Sequence, residues 1–249
     1  MPDPRATILI VHGASEHIGR WGHVAEFFNA RGYEMFGYDH RGHGGSGGDR
    51  IHVEHFDDYV EDLAEVVAHL RSDRPLVMYA HSMGGLVATS YAESAHSQPD
   101  LLVLSAPALD AAAPGALKVA AKLISKVAPG LRLKAPTQGD QLSRDPKVGE
   151  AFAADPLVYL HGTTRWGAEF LSAMDRCRAD IGSIRVPTLV IHGGDDTLIP
   201  TAASAPLAAA DSVERRVFPG LRHEMHNEPE ANEVLDFVAG WMEGRLTGG

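Results

Sequence analysis

An alternation of two patterns along this 249-residue chain constrains its fold more than any other feature. Short apolar runs, which suit strands buried on both faces of a sheet, are separated by longer stretches with helical periodicity. This order predicts an α/β fold with a mostly parallel, doubly wound sheet and helices on both of its faces. The predicted strands are Thr7–His12, Glu34–Asp39, Leu76–Ala80, Leu101–Ser105, Thr188–His192 and Glu214–Phe218, and the predicted helices include Trp21–Arg31, Phe56–Arg71, Gly84–Ala95 and Pro229–Leu246.

Residues 111–178, called the insertion below, interrupt this alternation. They are rich in Ala, Pro, Leu and Lys, they contain no clear strand pattern, and Gly115–Val127 has one apolar face. We therefore expect a helical cap at 111–178 above an α/β core formed by 1–110 and 179–249. Right-handed crossovers place the carboxyl ends of parallel strands, and the loops that follow them, along one edge of such a core.

Ser82 lies between a predicted strand and a predicted helix, in the turn Tyr79-Ala80-His81-Ser82-Met83-Gly84-Gly85. This is the context of a nucleophile elbow, a strained turn that exposes the serine hydroxyl and aims the Met83 N–H at a developing oxyanion. Glycine is usual two residues before and after the serine. Gly84 fits, whereas Ala80 adds one methyl group that we expect the turn to tolerate. The alternative interpretation is an ordinary serine N-cap.

A serine hydroxyl needs a base and an orienting acid, which follow the serine in that fold in the order acid, histidine. After the fifth predicted strand we assign Asp196 as the acid, with Asp195 as its competitor, although either could be a turn residue. After the last strand we assign His223 as the base. We prefer it to His226, which adjoins Asn227, the predicted N-cap of the terminal helix.

The loop after the first predicted strand is expected to supply the second oxyanion donor, for which the Ala14 N–H is the candidate. Gly13 beside it leaves room for the chain to approach a substrate.

A metal site has to be weighed because the chain has 14 histidines. However, His223-Glu224-Met225-His226 is one residue short of the zinc-binding spacing, and no Cys/His set has structural zinc spacing. We expect neither a metal nor a cofactor.

Charge and composition exclude several classes of partner. The formal net charge is −11, and nothing concentrates Lys or Arg as a nucleic-acid binder requires. The single cysteine, Cys177, cannot form an internal disulfide, which fits a reducing compartment. The first residues lack the pattern of a signal peptide, and no apolar run approaches the roughly 20 residues that span a bilayer. We therefore expect a cytoplasmic protein.

Six segments in this order resemble the monoacylglycerol lipase group of the α/β-hydrolases, over about residues 7–241. They are His12–His17, Asp39–Ser46, His81–Gly85, Leu142–Pro146, His192–Pro200, and His223-Glu224 with Asn227-Glu228. The resemblance implies an enzyme that hydrolyses monoacylglycerols or similar small acyl esters. It also implies a triad of Ser82, Asp196 and His223, with Ala14 and Met83 as oxyanion donors.

The same resemblance implies that the insertion is a mobile cap whose apolar face binds an acyl chain and touches lipid surfaces, with plain core packing as the alternative for that face. It further implies strands before Thr7, where only six residues stand. Without such strands, Glu34–Tyr38 becomes an exposed sheet edge. A homodimer contact, a compact variant and a start codon placed too late are the alternatives.

Two other functions remain open. Within enzymes, the alternative is a broad-specificity short-chain carboxylesterase or a lysophospholipase. Outside enzymes, the alternative is a non-catalytic ligand receptor on the same fold, although such a receptor has no need of Ser82, Asp196 and His223 together.

Overall fold

The structure is a computed structural model that describes residues 4–111, 115–135 and 137–247, with residue 117 as backbone only. The strands are β1 (Thr7–Val11), β2 (Glu34–Gly37), β3 (Leu76–His81), β4 (Leu101–Ser105), β5 (Arg132–Lys134), β6 (His161–Thr163), β7 (Thr188–Gly193) and β8 (Val213–Phe218). The helices are α1 (Gly22–Asn29), α2 (Asp57–Leu70), α3 (Met83–Ala92), α4 (Gly115–Val127), α5 (Gly139–Leu142), α6 (Pro146–Ala154), α7 (Thr164–Asp180) and α8 (Ala231–Leu246).

A six-stranded sheet in the order β2-β1-β3-β4-β7-β8 forms the centre of the described chain, and all of its pairings are parallel. Alternate residues of β1 enter two apolar clusters on opposite faces. Leu9 and Val11 pack with α2, α3 and α7, whereas Ile8 and Ile10 pack with α1 and α8. Burial on both faces explains the unbroken apolar runs, and the predicted parallel, doubly wound sheet is confirmed.

The insertion differs from its prediction in one respect. The expectation of no strand there is wrong, because β5 and β6 pair antiparallel in a separate two-stranded sheet. Each of these strands has three residues, which is too short for a period of two to be recognised. The predicted boundary after residue 178 falls inside α7, whose Ala173 and Met174 pack in the same apolar cluster as α3. The division into core and cap stays a prediction.

The predicted start of the terminal helix is also wrong. Helix α8 begins at Ala231, and Asn227 lies in a 3-10 turn, Met225–Asn227, rather than at a helix N-cap. The Asn227 amide instead donates a hydrogen bond of 2.7 Å to Glu224 Oε2. A side-chain partner three residues back therefore holds Asn227 in the loop before the helix.

Strand β2 forms one edge of the described sheet, where Phe36 is 42% exposed.

Among the residues that the structure covers, no helix has both the length and the apolar character needed to cross a membrane.

Candidate active site

Ser82 occupies the turn between β3 and α3 with φ of +52° and ψ of −115°. A positive φ is costly for a residue that has a Cβ atom, so the turn stores backbone strain at this serine. A Cβ atom at position 84 would collide with the Val11 carbonyl oxygen, so only glycine lets α3 approach β1 here. The methyl group of Ala80 is fully buried in the apolar cluster beside α3, which accommodates the departure from glycine at that position.

Asp196 and His223 meet at the carboxyl edge of the sheet. His223 Nδ1 lies 2.7 Å from Asp196 Oδ2, and the two residues are 2% and 7% exposed respectively. The other carboxylate oxygen, Oδ1, accepts the N–H groups of Leu198 and Ile199 at 2.9 Å each. Asp195 is exposed, so the structure brings Asp196 and not its competitor to His223.

Each member of this pair shifts the pKa of the other. Burial lowers the pKa of His223, but the charge of Asp196 and the hydrogen bond to it outweigh burial and raise the pKa above 6.5. Burial raises the pKa of Asp196, yet His223, a hydrogen bond from His192 and the Ile199 N–H together hold it well below its usual range. Because an ionised carboxylate only accepts hydrogen bonds, His223 Nδ1 donates to Asp196, which leaves a lone pair on Nε2.

His226, the histidine not chosen as base, lies elsewhere. Its ring is fully buried and stacks on Trp21, with ring centroids 4.0 Å apart. Burial lowers its pKa well below the usual value. His226 is therefore a neutral packing residue behind the site, and the choice of His223 rests on its contact with Asp196 rather than on a helix cap.

Ser82 and His223 both line a cavity of about 430 Å³. Most of the residues that line it belong to the insertion, and the large apolar side chains among them include Ile124, Leu133, Leu142, Phe152, Trp166 and Phe170. No hydrogen bond joins the Ser82 hydroxyl to another described residue, although contacts of this kind commonly tighten only when substrate binds. The cavity therefore presents a hydroxyl and an imidazole to a largely apolar space.

The loop after β1 approaches Ser82 closely. A Cβ atom at Gly13 would lie 3.1 Å from Ser82 Cβ, and Ala14 lines the same cavity as the serine. Met83 begins α3, so its N–H has no acceptor within the helix. Both predicted oxyanion donors thus belong to the segments that border Ser82.

Three buried histidines, His12, His40 and His43, pack together beneath the start of this loop. His12 Nε2 accepts the His40 N–H at 3.0 Å, and His12 Nδ1 lies 2.8 Å from the Gly13 carbonyl oxygen, to which it donates. Burial lowers the pKa of His12 to about 3 and that of His43, packed beside it, to about 4. These neutral rings connect two of the segments that carry the family resemblance, His12–His17 and Asp39–Ser46.

A buried charge network, which the sequence interpretation did not identify, joins the first loop to the loop of His223. Glu16 Oε1 accepts the Gly13 N–H at 2.5 Å, and its Oε2 lies 3.2 Å from the Arg20 guanidinium. The same guanidinium binds both oxygens of Glu224, the neighbour of His223, at 2.7 and 2.8 Å. Burial raises the pKa of Glu16 to about 6, against the opposing charge of Arg20. The i, i+4 spacing of Glu16 and Arg20 is a local signal, but their partner is 204 residues from Arg20.

The family model described as Hydrolase_4, serine aminopeptidase S33, matches residues 2–230. The chain belongs to this family. It is 38% identical to a monoacylglycerol lipase of Mycolicibacterium smegmatis, over 98% of this chain and 90% of that protein. It is 31% identical to phospholipase YtpA of Bacillus subtilis, over 93% of each chain.

Among solved structures, a Paleococcus ferrophilus monoacylglycerol lipase is 27% identical and superposes with a TM-score of 0.88, over 97% of this chain and 96% of the other. The predicted α/β-hydrolase fold and the resemblance drawn from the six segments are both confirmed.

Proposed function

We propose that this member of the Hydrolase_4 family is a serine ester hydrolase that cleaves monoacylglycerols or similar acyl esters to a fatty acid and an alcohol. The observation that carries the proposal is the apolar cavity lined by Ser82 and His223, with Asp196 hydrogen-bonded to the far side of the imidazole. Relatives named monoacylglycerol lipase and phospholipase support an acyl ester as the substrate class.

In the first half of the proposed reaction, Ser82 Oγ attacks the ester carbonyl carbon while His223 Nε2 takes its proton. The Asp196 carboxylate stabilises the imidazolium that forms, and the N–H groups of Ala14 and Met83 donate to the oxyanion. The tetrahedral intermediate then expels the alcohol as His223 returns the proton to the leaving oxygen. An acyl group remains bound to Ser82.

In the second half, a water molecule attacks the acyl carbon and gives a proton to His223. Collapse of this second intermediate breaks the bond to Ser82 Oγ, which recovers its proton, and releases the fatty acid. The apolar walls described above favour an acyl chain, since burying a methylene group contributes roughly 0.8 kcal/mol.

The outer face of the insertion supports a contact with lipid surfaces. In its described part the insertion exposes seven large apolar side chains, and the first six of them define the outer face: Val119, Leu123, Ile124, Val127, Leu131, Leu133 and Leu157. Ile124 and Leu133 are 43% and 55% exposed and also line the cavity, so apolar surface continues from the outside to the site. Scattered apolar residues are ordinary, whereas a contiguous patch marks an interaction surface. We propose that this face meets the lipid aggregate that supplies the substrate.

Two predictions about the surroundings of the protein stay proposals. The exposed edge at β2 motivates a homodimer, which sedimentation equilibrium of the wild type would test; a monomer at high concentration contradicts it. A cytoplasmic location is tested by fractionation of the source cells.

A substrate panel tests the proposed activity. We would measure hydrolysis of monoacylglycerols of increasing acyl length, lysophosphatidylcholine and p-nitrophenyl acetate and butyrate, with Ser82→Ala as control. We expect rates to rise with acyl length and to vanish in the control. A preference for acetate or butyrate would favour a short-chain carboxylesterase, and a preference for the lysophospholipid would favour a lysophospholipase.

A fluorophosphonate probe separates an enzyme from a receptor, because it reacts only with an activated serine. Labelling of the wild type but not of Ser82→Ala is the expected result. A folded wild type that neither reacts with the probe nor hydrolyses any ester of the panel would refute the proposed function.

A further inference from the structure

Glu228 is a buried acid that the proposed reaction does not use. Its side chain is 0% exposed, and it ends the His223 loop, defined here as Arg222–Glu228. Burying a carboxylate is costly unless hydrogen bonds or opposite charges compensate it. A role for this side chain must therefore be sought in its contacts.

Both oxygens of Glu228 accept hydrogen bonds, one from the His223 loop and the other from the insertion. Oε1 accepts the N–H of Arg222, the residue before His223, at 2.7 Å. Oε2 accepts from the insertion: the Arg144 N–H donates at 3.0 Å and the Arg144 Nε–H at 3.1 Å, while the single proton of the Ser143 hydroxyl is shared between Oε2 at 3.2 Å and the Asn227 carbonyl oxygen at 2.9 Å. One carboxylate thus joins the backbone beside His223 to residues 143 and 144.

Further hydrogen bonds connect the same two stretches of chain on either side of Glu228. The Glu224 N–H donates to the Leu142 carbonyl oxygen at 2.8 Å. The Ser143 hydroxyl lies 2.9 Å from the Asn227 carbonyl oxygen, and the Arg222 guanidinium lies 3.1 Å from that of Ser143. Leu142 itself is a wall of the acyl cavity. The loop that bears the histidine and one wall of the cavity are therefore held by a common set of bonds.

We infer that Glu228 is a positioning residue, whose buried carboxylate fixes the His223 loop and Leu142–Arg144 as one unit and so keeps His223 aligned with Asp196 and Ser82. The inference rests on the proposed function, in which His223 is the base. It also gives a role to the segments Leu142–Pro146 and Asn227-Glu228, which carry the family resemblance but supply no reacting group.

The chemistry of the contacts requires a carboxylate rather than an amide. All four donors to Glu228 are N–H or O–H groups, and two acceptor oxygens serve them. Glutamine has one acceptor oxygen, so in Glu228→Gln an NH₂ group must face either Arg222 or the donors of Ser143 and Arg144. A buried donor left without an acceptor forces the surrounding chain to shift.

The test compares Glu228→Gln with Glu230→Gln, a matched control. Glu230→Gln removes the same charge from the same region. The Glu230 side chain also contacts the Arg144 guanidinium, but it is 38% exposed and makes no hydrogen bond to the backbone of the His223 loop. For each variant we would measure kcat and KM on a monoacylglycerol, the pH profile of kcat/KM, and Tm, with kinetics well below Tm.

Glu228→Gln is expected to lower kcat by roughly 10- to 100-fold, the cost of a misplaced catalytic group, with KM changed much less. The acid limb of its kcat/KM profile should also move to lower pH, because a looser contact with Asp196 raises the pKa of His223 less. The groups that face His223, namely Asp196, His81, His226, Glu224 and Glu16, are the same in both variants. A residue that only stabilised the fold would lower Tm and leave both kcat and the acid limb unchanged.

The outcomes separate this inference from the proposed function. A folded wild type without esterase activity overturns the proposed function. An active wild type, with Glu228→Gln equal to Glu230→Gln in kcat and acid limb, overturns the positioning role alone. Should Glu228→Gln fail to fold, Ser143→Ala takes its place, because it removes the hydroxyl that contacts both this carboxylate and the Asn227 carbonyl oxygen of the His223 loop. A fall in kcat with a shifted acid limb is then expected, and wild-type values in folded Ser143→Ala overturn the role.

Discussion

The carboxyl edge of the sheet and the outer face of the insertion follow opposite rules of burial. At the edge, Asp196 and His223 are buried and hydrogen-bonded to each other, with 7% and 2% of their surfaces exposed. On the insertion, apolar groups are exposed, and Val127 reaches 88%. This difference matches the two proposed roles, since the edge holds the proposed reacting groups in fixed positions, whereas the outer face is proposed to meet a lipid aggregate. Substitutions in the two regions should therefore differ greatly in the size and kind of their effects.

The largest effect is expected at the edge, from Ser82→Ala. The change removes the attacking oxygen and keeps the Cβ atom, so we expect kcat to fall by up to roughly 10⁶-fold, as when a triad serine is removed elsewhere. Fatty-acid release is the measurement, and an unchanged Tm shows that the fold is retained. Substantial hydrolysis by this variant would mean that the chemistry of the edge does not pass through Ser82.

Asp196→Asn should have the next largest effect. An amide in place of the carboxylate removes the charge that faces the imidazolium and disturbs the tautomer of His223, which costs on the order of 10⁴-fold in kcat in a triad of this kind. The matched control is Asp195→Asn, one residue away and exposed, which should have wild-type kcat. If the two variants exchanged their results, Asp195 would be the orienting acid.

The pH dependence of kcat/KM tests the coupling between His223 and Asp196. His223 must be neutral to accept a proton, and Asp196 raises its pKa, so activity should fall as pH drops through a midpoint above 6.5. Below that midpoint the loss is about tenfold for each pH unit. In the residual activity of Asp196→Asn the midpoint should move to lower pH. A wild-type midpoint well below 6.5 would contradict the coupling between the two residues.

The two regions also differ in how well their structure could be predicted from the sequence. The turn at Ser82 was predicted because a strained elbow needs small residues at fixed local spacings. The order of Asp196 and His223 was predicted from the chain order of catalytic groups in this fold. The sequence of the insertion predicted neither β5 nor β6, because a strand of three residues is too short to show a periodic pattern. The four central strands, β1, β3, β4 and β7, were predicted to within one residue, because burial on both faces allows little variation.

The buried contacts that support the site could not be predicted at all. Arg20 and Glu224 are 204 residues apart, and Glu228 and Ser143 are 85 apart, so nothing in one sequence pairs them. The Asn227 cap was wrong for a related reason: the residue type suits a helix start, but its amide donates to Glu224 three residues back, a side chain that Arg20 holds in place from the other loop. Local steric rules can be recognised in a sequence, whereas the choice among many possible polar partners is made only by the fold.

The smallest effect is expected on the outer face, from Val127→Glu. A valine that moves from water into an apolar phase contributes about 1.5 kcal/mol, so its loss should weaken binding to phosphatidylcholine vesicles by roughly tenfold. Because Val127 is 88% exposed, the substitution leaves the cavity intact. Hydrolysis of soluble p-nitrophenyl butyrate should therefore be unchanged, while hydrolysis of monoacylglycerol in vesicles falls. The control Val127→Leu keeps the apolar surface and should bind at least as well as the wild type. Equal vesicle binding by the glutamate and leucine variants would show that this face does not meet lipid, and its exposed apolar groups would then need another partner.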